Sequence, residues 1–196
     1  MYIYLVRHGQ STGNDKKLFF GASDHPLTDL GREQARDARD KLRDVTFTRC
    51  LSSDLSRAWE TARICLEGRD VTAEPTSDLR EQDMGGLEDL TWEQAHERYG
   101  DLPMQLLHDW FGIAPPDGGE SVQTMLVRVS RCVDEVIARG EDTLLVAHNG
   151  SLSLLLWYLK LAGEHDIMRP GRIFEHGTYS AIRIDENGAV LEKFNA

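Results

Sequence analysis

Apolar positions along this chain fall into two rhythms. Tyr2 to Val6, Phe47 to Leu51 and, more weakly, Val71 to Glu74 predict strands, as does Thr143 to Ala147, which is continuously apolar. Between them lie stretches of helical composition with capping residues at their fronts. These are Thr28 to about Leu42, a segment capped by Ser53 or Asp54 and running through Ala62, and Thr91 to about Tyr99 behind the capping box Thr91-Trp92-Glu93-Gln94. Pro103 to Phe111, Ser121 to Ala138 and Ser151 to Leu161 complete the helical set. In the tail, Thr178 to Ile184 and Ala189 to Phe194 flank Asn187-Gly188, the signal for a type I′ hairpin of edge strands. Strands alternating with helices predict an α/β fold.

A chain of 196 residues, 40% hydrophobic and 28% charged, is expected to bury one core as a single domain, 1–196, without disulfides or metals. The net charge of −11 argues against a nucleic-acid partner, so any basic site must be local. Cys50, Cys65 and Cys132 lie far apart and read as reduced thiols, which, with no signal-peptide pattern before the first strand, predicts a cytoplasmic protein. The most apolar run, Leu152 to Leu159, falls well short of the roughly 20 residues that span a bilayer, so no membrane partner is expected.

The candidate chemistry sits where strands stop. Tyr2 to Val6 ends at Arg7-His8-Gly9, and Thr143 to Ala147 ends at His148-Asn149-Gly150, a histidine after a buried strand in both cases. In open α/β sheets ligands bind outside the carboxyl ends of strands, so these histidines are expected to share a site. Taken singly, His148 also fits a satisfied core residue, and Arg57 a solvated helix arginine. Gly9 allows a turn or a close approach to a ligand, and Ser11, Thr12, Gly13 and Asn14 offer hydroxyls, an amide and N–H groups suited to an oxyanion. His96, His108, His165 and His176 show no metal spacing, and there is no phosphate-loop or dinucleotide glycine pattern, so no metal and no cofactor are expected.

The run Arg7-His8-Gly9-Gln10-Ser11 with Asn14 resembles the signature of the histidine phosphatase superfamily, also called phosphoglycerate-mutase-like. Ser52 to Ala62 resembles its Ser-Ser-x-Leu-x-Arg-Ala-x-x-Thr-Ala, Gly21 to Ala35 its link to the first helix, Leu79-Arg80-Glu81 its Leu-x-Glu, and Gly119-Glu120-Ser121 its Gly-Glu-Ser. The resemblance implies a three-layer α/β/α sandwich around a central mixed, mostly parallel sheet, with a small helical insertion over the site at about 84–118. It implies His8 as a nucleophile forming a phosphohistidine, Glu81 as proton donor, and Arg7, Arg57, Asn14, His148 and Asn149 around the phosphoryl group. Two departures stand out. Asn149 replaces a usual glycine, and because Asn tolerates left-handed angles its N–H is expected to stay available. Gly85-Gly86-Leu87-Glu88-Asp89 stands for the usual Gly-x-Trp-Glu-Gly.

The implied activity is hydrolysis of small phosphorylated metabolites. The alternatives are a cofactor-dependent phosphoglycerate mutase and a phosphate-binding scaffold without turnover. Against the mutase, Gln82 stands where those enzymes carry an arginine, and Gln82 to Glu97 contains no Lys or Arg. The soft apolar residues between Met84 and Gly118 are where substrate choice is expected.

Overall fold

The computed structural model describes residues 1–164 and 173–196. Its elements run β1 (Tyr2–Arg7), α1 (Thr12–Asp15), α2 (Asp29–Lys41), β2 (Arg49–Ser53), α3 (Ser56–Cys65), β3 (Ala73–Thr76), α4 (Trp92–Tyr99), α5 (Leu102–His108), α6 (Val122–Arg139), β4 (Thr143–Ala147), α7 (Asn149–Tyr158), β5 (Ser180–Asp185) and β6 (Gly188–Lys193). The strands form one sheet in the order β3-β2-β4-β1-β5-β6. β1 runs parallel to β4, with Arg7 opposite Ala147, so the two strands end side by side. β2 is parallel to β4 and β3, whereas β5 and β6 add antiparallel pairs on the other side.

Alternation along the strands divides the core in two. Ile3, Leu5, Leu145 and Ala147 face the layer of α6 and α7, packing with Val129, Val133, Leu152 and Leu155. Val6, Leu144 and Val146 face Ala38 and Leu42 of α2 and Ala62 and Cys65 of α3. Each fully buried Val, Leu or Ile among these contributes about 1.5–3 kcal/mol. Leu87, Ala95 and Leu106 form a third, smaller cluster within the segment carrying α4 and α5. The three cysteines are buried and free; burial pushes the Cys65 and Cys132 thiols up to about 12 and Cys50 up as well. No described helix is long and apolar enough to cross a membrane.

Four expectations need correction. β2 continues through Ser52 and Ser53, which are fully buried yet satisfied, Ser52 Oγ donating to the Ser53 carbonyl and Ser53 Oγ meeting His148. For that reason neither Ser53 nor Asp54 caps α3: Asp54 pairs with Arg80, and the cap position is Leu55, whose side chain makes no capping bond. β5 is an interior strand between β1 and β6, so only β6 is an edge in the tail. The hairpin turn is not type I′, which requires positive φ at both central residues; here these are Glu186 and Asn187, neither of which has positive φ, and Gly188, at φ +113, opens β6.

Candidate active site

Arg7 and His8 leave the end of β1, Arg57 stands in the first turn of α3, and His148 and Asn149 join β4 to α7. His8 is 3% exposed, and its Nδ1 lies 2.7 Å from the Gly9 carbonyl. A carbonyl only accepts, so Nδ1 carries the proton and Nε2 keeps the lone pair. Burial first, then Arg7 and Arg57, hold the imidazole well below its usual value of 6.5. The ring is therefore neutral and nucleophilic at neutral pH.

Arg57 is completely buried. Its Nη1 and Nη2 donate to the carbonyls of Ser23 (2.9 Å) and Gly21 (2.7 Å), and its Nε donates to His148 Nδ1 at 3.3 Å. His148 in turn donates from Nε2 to Ser53 Oγ at 2.8 Å. Both ring nitrogens of His148 are thus committed to the protein. It stands 5.0 Å from His8 between ring centroids and does not line the cavity described below. Arg7 is anchored by a 2.8 Å bond from Nη1 to the Phe174 carbonyl, while its Nε is buried with no hydrogen bond. Burial is the main cause pulling both guanidiniums below their usual range, and Glu81 pulls them back. A buried and a half-buried guanidinium with an orphan donor are what an oxyanion would satisfy.

Glu81 is oriented twice over. Its carboxylate accepts the N–H of Gln82 at 3.0 Å and of Gly150 at 2.9 Å. From α6, Arg128 holds its backbone by donating to the carbonyls of Asp78, Arg80 and Glu81 while pairing with Glu120. Gly150 is required here, because a Cβ would sit 2.2 Å from Glu81 Oε1.

The turn after His8 does not offer the N–H cradle expected of it. Gly9 donates to Thr61 Oγ1, Gln10 to Gln34, Ser11 to Asn14 Oδ1, Thr12 to the Pro26 carbonyl and Asn14 to Ser11 Oγ. The close approach at Gly9 is to Gly31, whose carbonyl would lie 2.1 Å from a Cβ, and not to a ligand. Asn14 still lines the cavity, its carboxamide oxygen fixed by the Ser11 cap. Asn149 takes no left-handed angle; it opens α7, and its Oδ1 accepts from Phe174 N at 3.0 Å.

Arg7, His8, Asn14, Arg57, Glu81 and Asn149 all line one cavity of about 290 Å³. Apart from Gln82 and Gly150, its remaining walls are apolar. Leu18, Phe19 and Phe20 come from the loop after α1, Pro103, Leu106 and Leu107 from α5, and Met84 and Trp110 from the segments flanking α4 and α5. Among the described residues, no group of three or more His, Cys, Asp and Glu could hold a metal ion; His165 lies outside those residues.

The family model of the histidine phosphatase superfamily (branch 1) matches residues 3–196. The chain belongs to that superfamily. It is 37% identical to the adenosylcobalamin/alpha-ribazole phosphatase of Salmonella typhimurium, the match covering 100% of this chain and 96% of the relative. It is 34% identical to the 2,3-bisphosphoglycerate-dependent phosphoglycerate mutase of Parvibaculum lavamentivorans, over 97% of this chain and 94% of that one. The crystal structure of the alpha-ribazole phosphatase from Shigella flexneri superposes with a TM-score of 0.89 at 30% identity, covering 100% of this chain and 96% of that chain.

Three features of this histidine phosphatase escaped the sequence. Glu88 accepts the backbone N–H groups of Gly21, Ala22, Ser23 and Met84, fixing the loop whose carbonyls hold Arg57. Its place in the superfamily's Gly-x-Trp-Glu-Gly pattern was the available signal. Gln82 clamps Trp110, accepting from the indole N–H at 2.6 Å while donating to the Glu120 carbonyl. His176 donates from Nδ1 to the His8 carbonyl, its ring 5.7 Å from that of His8, and burial lowers its pKa to about 4. Nothing local to His176 marks it.

Proposed function

We infer that this chain is a metal-independent phosphomonoesterase that works through a phosphohistidine on His8 and acts on small phosphorylated metabolites. The observation that carries the inference is the neutral His8 with Nε2 unprotonated beside the guanidiniums of Arg7 and Arg57 at one cavity. Arg7 and Arg57 neutralise the charge spread over the phosphoryl oxygens, which is most of what phosphoryl transfer requires. The Nε2 lone pair forms the N–P bond as the ester P–O bond breaks, and Glu81 gives its proton to the departing alkoxide. The phosphoryl dianion beside Glu81 favours the protonated carboxyl by like-charge repulsion. Water then attacks phosphorus, Glu81 takes its proton, and His8 and phosphate are released. His148 acts by holding Arg57, Asn149 by holding the Phe174 segment on which Arg7 rests, and Asn14 from the cavity wall. The segment 84–118 supplies the wall that meets the alcohol. The acidic surface supports a small substrate in place of a nucleic acid, and three reduced thiols support the cytoplasm.

The mutase relatives favour a second reading, isomerisation of phosphoglycerates. Against it, the Gln82 amide is committed on both ends and supplies no charge to a glycerate carboxylate. The test is direct. A labelled, acid-labile phosphoenzyme forms on the wild type and disappears in His8→Ala, and 3-phosphoglycerate with catalytic 2,3-bisphosphoglycerate yields free phosphate faster than 2-phosphoglycerate. Label persisting in His8→Ala, or isomerisation outrunning phosphate release on every substrate, would refute the assignment.

A further inference from the structure

The phosphoryl floor of the cavity is cationic, but its walls are aromatic, and each aromatic side chain is held in place by a contact of its own. Phe20 lies under the Arg57 guanidinium, 4.9 Å from Cζ to ring centroid, and against the edge of His25 at 5.0 Å. Phe19 stacks on Trp92 at 5.4 Å with ring planes 27° apart. Trp110 is tied through its indole N–H to the buried Gln82, whose own amide is tied to the Glu120 carbonyl. Rings fixed in this way lose little conformational freedom when a ligand arrives, so their surface converts to affinity efficiently. Among the described residues, the cations lining the cavity are Arg7 and Arg57, both at the floor. Beyond Glu81 and the uncharged polar groups of His8, Asn14, Gln82 and Asn149, the lining offers dispersion and stacking to the alcohol moiety and no further charge.

We propose that this cavity selects phosphate monoesters whose alcohol carries a flat, uncharged aromatic group, gripped by the wall of Phe19, Phe20 and Trp110, with Gln82 as the residue that positions the indole. The proposal rests on the phosphatase reading for its turnover but not for its binding. Specificity is then set by stacking on prefixed rings, and α5, through Leu106 and Leu107, closes the apolar side of the site.

The test uses substrates with matched leaving groups, so that acid catalysis does not enter the comparison. Ethyl phosphate and 2-(2-naphthyl)ethyl phosphate both release a primary alkoxide, and the added rings should raise kcat/KM about a hundredfold. Trp110→Ala lowers that ratio by about tenfold or more, as removal of a preorganised aromatic anchor does. Leu107→Glu, at a position 50% exposed where folding is not at risk, also lowers the ratio by placing a charge beside the rings. The same preference is read without turnover by calorimetry, comparing 3-(2-naphthyl)propylphosphonate with propylphosphonate on the wild type and both variants. Equal kcat/KM for the two esters with equal phosphonate affinities, or a ratio unmoved by both variants, overturns the proposal. Absent hydrolysis of every ester, 4-nitrophenyl phosphate included, together with tight Trp110-dependent phosphonate binding, overturns the phosphatase reading and supports this one.

Discussion

Glu88→Gln removes one oxygen from a carboxylate that feeds four backbone N–H groups. Oε1 accepts from Gly21, Ala22 and Met84, and Oε2 from Gly21 and Ser23, all between 2.8 and 3.1 Å. With the amide carbonyl in the Oε1 place, the new NH2 points at the Ser23 N–H, donor against donor, and the remaining bonds lose their charge assistance. Bonds to charged groups contribute about 1.5–3 kcal/mol and neutral ones about 1, so the loss is about 2–3 kcal/mol in this half-buried setting. For a domain of this size that lowers Tm by about 5–10 °C. The effect extends to the chemistry, because the carbonyls of Gly21 and Ser23 are the rests for Arg57 Nη2 and Nη1. A guanidinium released by even 1 Å costs about 10²-fold, so kcat on 4-nitrophenyl phosphate falls roughly 10- to 100-fold. Scanning calorimetry and steady-state kinetics on the same preparation read both. Tm within about 1 °C of wild type and kcat within about twofold would refute the claim that Glu88 organises the arginine.

Glu81→Gln slows release of alkyl alcohols far more than release of nitrophenolate, which departs without help from an acid; a leaving-group series measures this, and equal losses would move the acid role elsewhere. Stability falls steeply as the solution is acidified. His8, His148 and His176 all titrate below their usual 6.5 in the folded protein, burial being the first cause for each, and His176 near 4. The unfolded chain therefore takes up their protons first, and each buried histidine costs about 1.4 kcal/mol per pH unit once pH drops below about 6.5. Urea midpoints measured from pH 7.5 to 4.5 read the slope, which for His176 ends near pH 4; a flat profile over that range would contradict it.

The strand ends were legible because they carry local chemistry. A buried apolar run stopping at Arg7-His8, and another at His148-Asn149, can each be read from adjacent residues, and so can Arg57 from the helix start it occupies. What failed was the assignment of partners. Of the N–H groups of Ser11 to Asn14 that were expected to suit an oxyanion, that of Thr12 meets the Pro26 carbonyl, a contact that no short window contains. His148 was expected in the cradle for want of any sign that Arg57 and Ser53 would occupy both its nitrogens. Glu88, 67 positions from Gly21, and His176, 168 from His8, act chiefly through such long-range bonds. β2 was cut short at Leu51 because serines read as turn residues, whereas a buried serine with its hydroxyl satisfied continues a strand without penalty.

The bond from Arg7 to the Phe174 carbonyl joins residues 167 positions apart, and β1 finds its ladder partners only in β4 and β5. Of the described strands, β1 is thus the one that waits longest for company. At about 5–20 residues per second, the interval between synthesis of Arg7 and of its anchor is roughly 10 to 30 s. Throughout that interval the Arg7 guanidinium lacks the carbonyl on which it rests in the folded chain. In a nascent chain of this protein Arg7 stays without that anchor until Phe174 has been added.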